Sequence, residues 1–105
     1  MAEETKINDG VTTITLGTPM EYNGQTYEEI HLALDDLTGE DSMAVENEIA
    51  MRKKGTVIFG ALNNDYVMGI AARACKEPIG TDAFLRMKLK DYNKVKEAVR
   101  NFLLK

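Results

Sequence analysis

The stretch PMEYNGQTYEEIHL, residues 19–32, sets two strands of alternating hydropathy on either side of Asn23-Gly24, a dipeptide that tolerates positive φ. A hairpin is therefore the first element to place. Its register turns on loop length, because one residue more or less moves every side chain of a strand to the other face. A two-residue loop puts Ile14, Leu16, Met20 and Tyr22 on one face and Ile30, Leu32 and Leu34 on the other, whereas a three-residue loop with a glycine bulge gathers all seven on one side. The three-residue loop is the expectation, since only it gives the sheet one apolar face. Gly17 and Pro19 bend the first strand or assign it to a sheet edge, proline having no ladder donor. His31 then lies on the wetter face.

Helical text follows. Thr38 and Asp41 have capping-box spacing, although Asp is shorter than the usual Glu or Gln, and a helix over about 39–53 ends near Gly55 with Arg52, Lys53 and Lys54 at its negative end. TVIFGAL, 56–62, is ambiguous by period. Asn63 or Asn64 caps a second helix through Lys76, with Val67, Ile70, Ala71, Ala74 and Cys75 on one stripe. Thr81 caps a short helix over 82–87. Leu89, Tyr92, Val95, Val99, Phe102 and Leu103 recur at helical spacing in a last helix over 90–104. The expected class is α+β: an antiparallel hairpin over about 12–34, then three to four helices, in a single domain of residues 11–105 behind a flexible polar N-terminus of residues 1–10.

The residues that usually carry chemistry are few. Cys75 is the only cysteine and His31 the only histidine, which leaves no zinc spacing and no pair for nucleophilic catalysis. Cys75 sits near a helix C-terminus, where the dipole opposes thiolate, and reads as a small core residue. The carboxylates Asp35, Asp36, Glu40 and Asp41 match no calcium loop and read as solvated side chains around a helix start. GTVIFG, 55–60, lacks the Gly-Lys-Ser/Thr ending of a phosphate loop. The expectations are accordingly no enzyme, no cofactor, no metal and no small-molecule substrate. No apolar run approaches the ~20 residues that span a bilayer, and no secretory signal opens the chain, so no membrane partner and a cytoplasmic location are expected.

Charge is divided along the chain. Residues 1–50 carry twelve acidic side chains and one lysine, and residues 86–105 carry seven basic and two acidic ones. The acidic half argues against general nucleic-acid binding, because it repels the phosphates that the basic end attracts. Oppositely charged ends can pair within one molecule or between adjacent copies, which makes a homo-oligomer built on acidic-front to basic-tail contacts one expectation. Met43, Met51, Met68 and Met87 fall in helical text, where flexible thioethers suit irregular cores and adaptable binding surfaces alike.

The order of these features resembles the tail assembly chaperone family of bacteriophages and prophages. The matching residues are Pro19, Gly24, Tyr27, Ile30, Leu32, Leu37-Thr38, Asp41, Ala71-Ala72-Arg73-Ala74, Asp91-Tyr92, Val95, Val99 and Asn101-Phe102-Leu103. They are spread over residues 14–105. The departures are residues 42–62, with RKKGTVIFGAL, and Lys88-Leu89-Lys90, where a Thr or Ser cap is more usual.

The resemblance implies a non-catalytic binder of the phage tape measure protein that keeps it soluble while the tail tube assembles, acts in the bacterial cytoplasm and is absent from the mature virion. Two other readings stand beside it: a structural tail component retained in the particle, and a small nucleic-acid-binding regulator using the basic last helix. Met43, Ile49, Val57, Ile58 and Phe59 exceed what one helix face needs for a core and are the candidate partner-binding residues.

Overall fold

The computed structural model describes residues 5–8, 10–53 and 63–104. Three antiparallel strands, β1 (Thr5–Asn8), β2 (Val11–Tyr22) and β3 (Gln25–Leu32), form a sheet in that order with β2 at its centre. A 3-10 turn at Leu34–Asp36 leads to α1 (Gly39–Lys53), α2 (Asn64–Ala74), α3 (Thr81–Arg86) and α4 (Leu89–Leu103). The α+β class and the hairpin-then-helices order stand as expected. The polar N-terminus departs from expectation over Thr5–Asn8, which pairs with Val11–Ile14 of β2.

The hairpin reaches its expected facing by an unexpected route. Its loop has two residues, Asn23 at φ 52° and Gly24 at φ 80°, and the flanking pair is Tyr22 with Gln25. Positive φ at both central positions matches the right-handed twist of the strands. Near this tip, even residues of β2 oppose odd residues of β3, as in Met20 with Tyr27. Near the base, Thr12 opposes Leu32 and Ile14 opposes Ile30, even against even. The register shifts between Thr15 and Met20, where Leu16–Pro19 stand opposite the single residue Glu28. The irregularity at Gly17–Pro19 thus resets the phase that the sequence reading had assigned to a longer loop. Ile14, Leu16, Met20, Ile30, Leu32 and Leu34 are all buried, and Tyr22 and Tyr27 pack partly against them.

That interruption frees backbone donors, and α4 satisfies them. Gly17 and Thr18 donate their N–H groups to Asp91 Oδ1 and Oδ2 at 2.8 and 3.2 Å, and Lys94 Nζ donates to the Thr15 carbonyl at 2.8 Å. Lys94 also lies 3.2 Å from Asp91 Oδ1. Burial of Asp91, which is 1% exposed, raises its carboxyl pKa, but the two amides and the Lys94 ammonium outweigh it and hold the group below the usual carboxylate range. Pro19 has no N–H to satisfy, which is why it can stand in such a segment.

α2 is the centre of the helical layer. Tyr66 to Ala71 and Ala74 are all buried, as a helix apolar on most sides requires. Asn63 caps it, its side chain accepting the Tyr66 N–H at 3.0 Å. α1 runs antiparallel along it, with Asp41 against Arg73 and Val45 against Gly69. A Cβ on Gly69 would lie 2.5 Å from Val45 Cγ1, so only glycine allows this approach. Beyond Ala74 the chain leaves the helix earlier than the expected Lys76. Cys75 bridges Leu32, and Lys76 N–H donates to the His31 carbonyl at 2.8 Å.

The short α3 begins one residue earlier than expected, with Gly80 at the cap position and Thr81 as its first residue. It is anchored by Ala83 and Phe84, both fully buried, because six residues cannot sustain a helix in water without tertiary packing. Tyr22 at the hairpin tip donates its hydroxyl to Asp82 at 2.9 Å, and Arg86 lies 5.7 Å above the Tyr22 ring. α4 packs against β2 and α2 with Val95 and Val99 fully buried and Phe102 and Leu103 partly covered. Leu89 was expected on this apolar stripe and instead stands exposed, because it is the first residue of α4 and lies ahead of the contact with β2.

Candidate functional surface

Asp41, His31 and Cys75, three of the groups singled out above for chemistry, are engaged in holding the fold. Thr38 donates its N–H to Asp41 Oδ2 at 2.9 Å, so the short aspartate does reach back to the cap residue. Arg73 donates from Nε and Nη2 to Asp41 Oδ1 at 3.0 and 2.8 Å. The Thr38 amide, then Arg73, hold the Asp41 carboxyl below its ordinary pKa. Among the described residues there is no group of three or more His, Cys, Asp or Glu that could hold a metal ion.

His31 is half-buried, less exposed than its place on the wetter sheet face suggested. Its backbone N–H donates to Glu77 Oε1 at 2.9 Å, and its ring Nδ1 lies 2.7 Å from Glu77 Oε2. A carboxylate can only accept, so Nδ1 carries the proton of that bond. Burial raises the Glu77 pKa, and the His31 ring and amide overcome it to give a net lowering. Cys75 donates its thiol to Glu77 Oε1 at 3.4 Å. Its pKa is pushed up to about 12, chiefly by burial, which leaves a neutral thiol at physiological pH. Glu77 therefore ties the turn after α2 to β3.

Two of the remaining surface features are apolar. On α1, Val45 and Ile49 face the core, and the opposite face presents Met43, 63% exposed, and Met51, 83% exposed. Asn47 and Ala50 complete that outer stripe, with Glu40, Glu46 and Glu48 around it, all of them exposed. A second apolar feature lies where α3 meets α4. Leu85, Met87, Leu89 and Tyr92 line a shallow groove of about 250 Å³, Leu85 and Leu89 being 73% and 71% exposed. Lys88 and Lys90, next to Leu89 in sequence, line a neighbouring cleft with Gly17, Thr18, Asn93 and Lys94, and Lys96 Nζ lies 5.4 Å above the Tyr92 ring. A smaller cleft beside it is lined by Arg52, Met68, Leu85 and Tyr92 with Asn64, Asp65 and Thr81, so the end of α1 borders the groove.

Of the five candidate partner-binding residues, Met43 is displayed to solvent. Ile49 is 5% exposed and lies in the core, because it follows Val45 by one helical turn on the face that meets α2. Val57, Ile58 and Phe59 lie outside the described residues. Sequence reasoning missed Leu85 and Leu89. A signal for Leu89 was present in its two lysine neighbours, while Leu85 adjoins the buried Phe84 in a helix too short to show a period.

Scattered exposed leucines are ordinary, but Leu85 and Leu89 on one groove and Met43 and Met51 on one helix face are grouped, as apolar side chains on protein-binding surfaces are. Among the described residues no helix is long and apolar enough to cross a membrane. No curated protein and no solved structure matches the chain. The family described as "Phage tail assembly chaperone proteins, E, or 41 or 14" does match, over residues 13–104, from the base of β2 to the end of α4. That span takes in the hairpin, its interruption, the four described helices and both apolar surfaces, and on it the chain belongs to the phage tail assembly chaperone family.

Proposed function

We propose that this chaperone binds the tape measure protein of its phage and keeps it soluble until the tail tube closes around it. The observation that carries the reading is the match to tail assembly chaperones over residues 13–104, and the exposed methionines and leucines supply it with a physical means. A long helix with an apolar stripe aggregates unless that stripe is covered. Small domains offering flexible apolar side chains can cover it in many weak steps and leave again, because avidity along a rod comes from number rather than from any one contact. Met43 is the described member of the proposed partner-binding set, which also counts Val57, Ile58 and Phe59 from the sequence. Ile49 is already committed to the core. The action is non-catalytic, takes place in the host cytoplasm, and ends with the chaperone absent from the finished virion.

Co-expression with a tape measure fragment that is insoluble alone tests this. The expected outcome is a soluble, co-purifying complex, weakened by Met43→Glu. Failure both to solubilise and to co-purify refutes it. Mass spectrometry of purified virions separates a departing chaperone from a tail component that stays.

A further inference from the structure

α1 turns only one side to the rest of the protein. Val45 and Ile49 are buried on the face that meets α2, and Arg52 lines the cleft it shares with Asn64 and Asp65. The opposite side carries Met43, Asn47, Ala50 and Met51, all exposed, in a stripe about 12 Å long. Glu46 and Glu48 lie about 100° to either side of Asn47 around the helix, so each long edge of the stripe has a carboxylate, and Glu40 stands at its N-terminal end. None of these three has an ion partner among the described residues, whereas Asp41 of the same helix is taken by Arg73.

This face selects one kind of occupant. The backbone of α1 is hydrogen-bonded along its own axis, so the face has no ladder to offer an added strand. A segment that covers it must satisfy its own backbone and bring an apolar side, which is what an amphipathic helix does. Carboxylates on both edges repel the phosphates of nucleic acid and of anionic lipid, and attract lysine and arginine. A second copy cannot supply that combination. Its lysine-rich helix is α4, whose Val95 and Val99 are fully buried in its own fold, and its α1 carries the same negative charge.

We infer that the outer face of α1 docks an amphipathic helix of another protein whose apolar stripe is bordered on both sides by lysine or arginine. The inference rests on the tape measure reading for the source of that helix, and adds the chemistry by which its segments are chosen. Met43 and Met51, unbranched and flexible, adapt to apolar side chains of different shape, which suits one surface meeting many non-identical segments. Glu46 and Glu48 then set which segments are accepted and how fast they are met, more than how tightly they are held. A stripe this short covers far less than the ~1,600 Å² of a standard stable interface, so each contact is weak and reversible.

Fluorescence anisotropy of the full chain with labelled, alanine-rich peptides of about 20 residues, long enough to be helical on their own, tests the inference. A peptide with a leucine stripe bordered by lysines should bind, and bind more weakly as salt screens the edges. The same peptide with glutamates in place of the lysines should bind about tenfold more weakly or worse. Glu46→Lys/Glu48→Lys should reverse that preference, and Met43→Glu/Met51→Glu should lose both peptides. Both variants should keep their circular dichroism and melting temperature, because all four positions are exposed. Equal binding of the two peptides, binding of neither, or binding that survives Met43→Glu/Met51→Glu overturns the inference. Self-association of the wild type that the methionine variant abolishes overturns it too, by seating a second copy on the face. The tape measure reading fails separately, when wild type leaves the co-expressed fragment insoluble. A fragment kept soluble equally by wild type and by Glu46→Lys/Glu48→Lys refutes the inference alone.

Discussion

Gly17 donates its backbone N–H to Asp91 Oδ1 at 2.8 Å, joining an interrupted strand to the first turn of a helix 74 positions away. The bond explains how a sheet can tolerate four residues opposite one. The donors released from the ladder are taken by a carboxylate, and the carboxylate is held by Lys94.

Asp91→Ala removes the acceptor for two amides and should lower stability by about 2–4 kcal/mol, as expected for hydrogen bonds to a buried charge. Asp91→Asn keeps one acceptor but turns a donor toward the other amide, so its loss should be intermediate. Chemical denaturation of the three proteins checks the order. An alanine variant as stable as wild type contradicts this role.

The same carboxylate makes stability depend on acid pH. Its folded pKa is lowered relative to an unfolded value of about 3.9. Its contribution is therefore complete above the unfolded value and lost as pH falls through the folded one. Wild type should lose stability below about pH 4 more steeply than Asp91→Asn, whose curve lacks that component. Glu77 acts in the same direction, also lowered, from an unfolded value of about 4.3. Glu77→Gln should flatten the acid limb in turn, at a cost near neutral pH of about 1 kcal/mol for the weakened bonds to His31.

Gly69→Ala sets two effects against each other. Alanine favours a helix interior over glycine by about 1 kcal/mol. The added Cβ would meet Val45 Cγ1 at 2.5 Å, inside a fully packed contact where overpacking costs about 1–3 kcal/mol. The clash should win, and Gly69→Ala should melt lower than wild type. Pairing it with Val45→Ala should recover part of the loss if the contact is the cause.

Gly24→Ala isolates backbone conformation, because nothing lies within 4 Å of the added Cβ while φ is +80°. A loss of about 1–2 kcal/mol is expected from the left-handed region alone.

Ile49 and Met43 should behave as opposites although the sequence groups them. Ile49→Ala should cost about 2–4 kcal/mol as a truncated core side chain. Met43→Ala should change stability by no more than about 0.5 kcal/mol. Thermal melts of the two variants distinguish core from display.

The hairpin, the four helices and their order were legible because each rests on local pattern: Asn23-Gly24 for the turn, Asn63 for a cap, the spacing of Val95 and Val99 for a helix face. What was not legible depends on distant chain. Parity alone located the need for one extra phase step in the hairpin but could not place it, since a longer loop and an irregular Leu16–Pro19 give the same facing at Ile14 and Ile30. Asp91 reads from sequence as an acid at a helix start, where its charge suits the dipole, and nothing local points to Gly17 and Thr18. Polarity made residues 1–10 look frayed, whereas Thr5–Asn8 finds a partner in the open edge of β2. The surface was the least legible part. A stripe of apolar residues has the same period whether it faces the core, as Ile49 does, or solvent, as Met43 does.

The change of step within β2 divides the ribbon into two segments that keep separate time. Adding or removing one residue pair at the Asn23-Gly24 end would alter how far the ribbon projects, yet Ile14, Ile30 and Leu32 would stay in phase beneath the helices. Such a pair can be taken up only beyond Tyr22, because its hydroxyl on Asp82 and the buried Met20 tie the outer segment down.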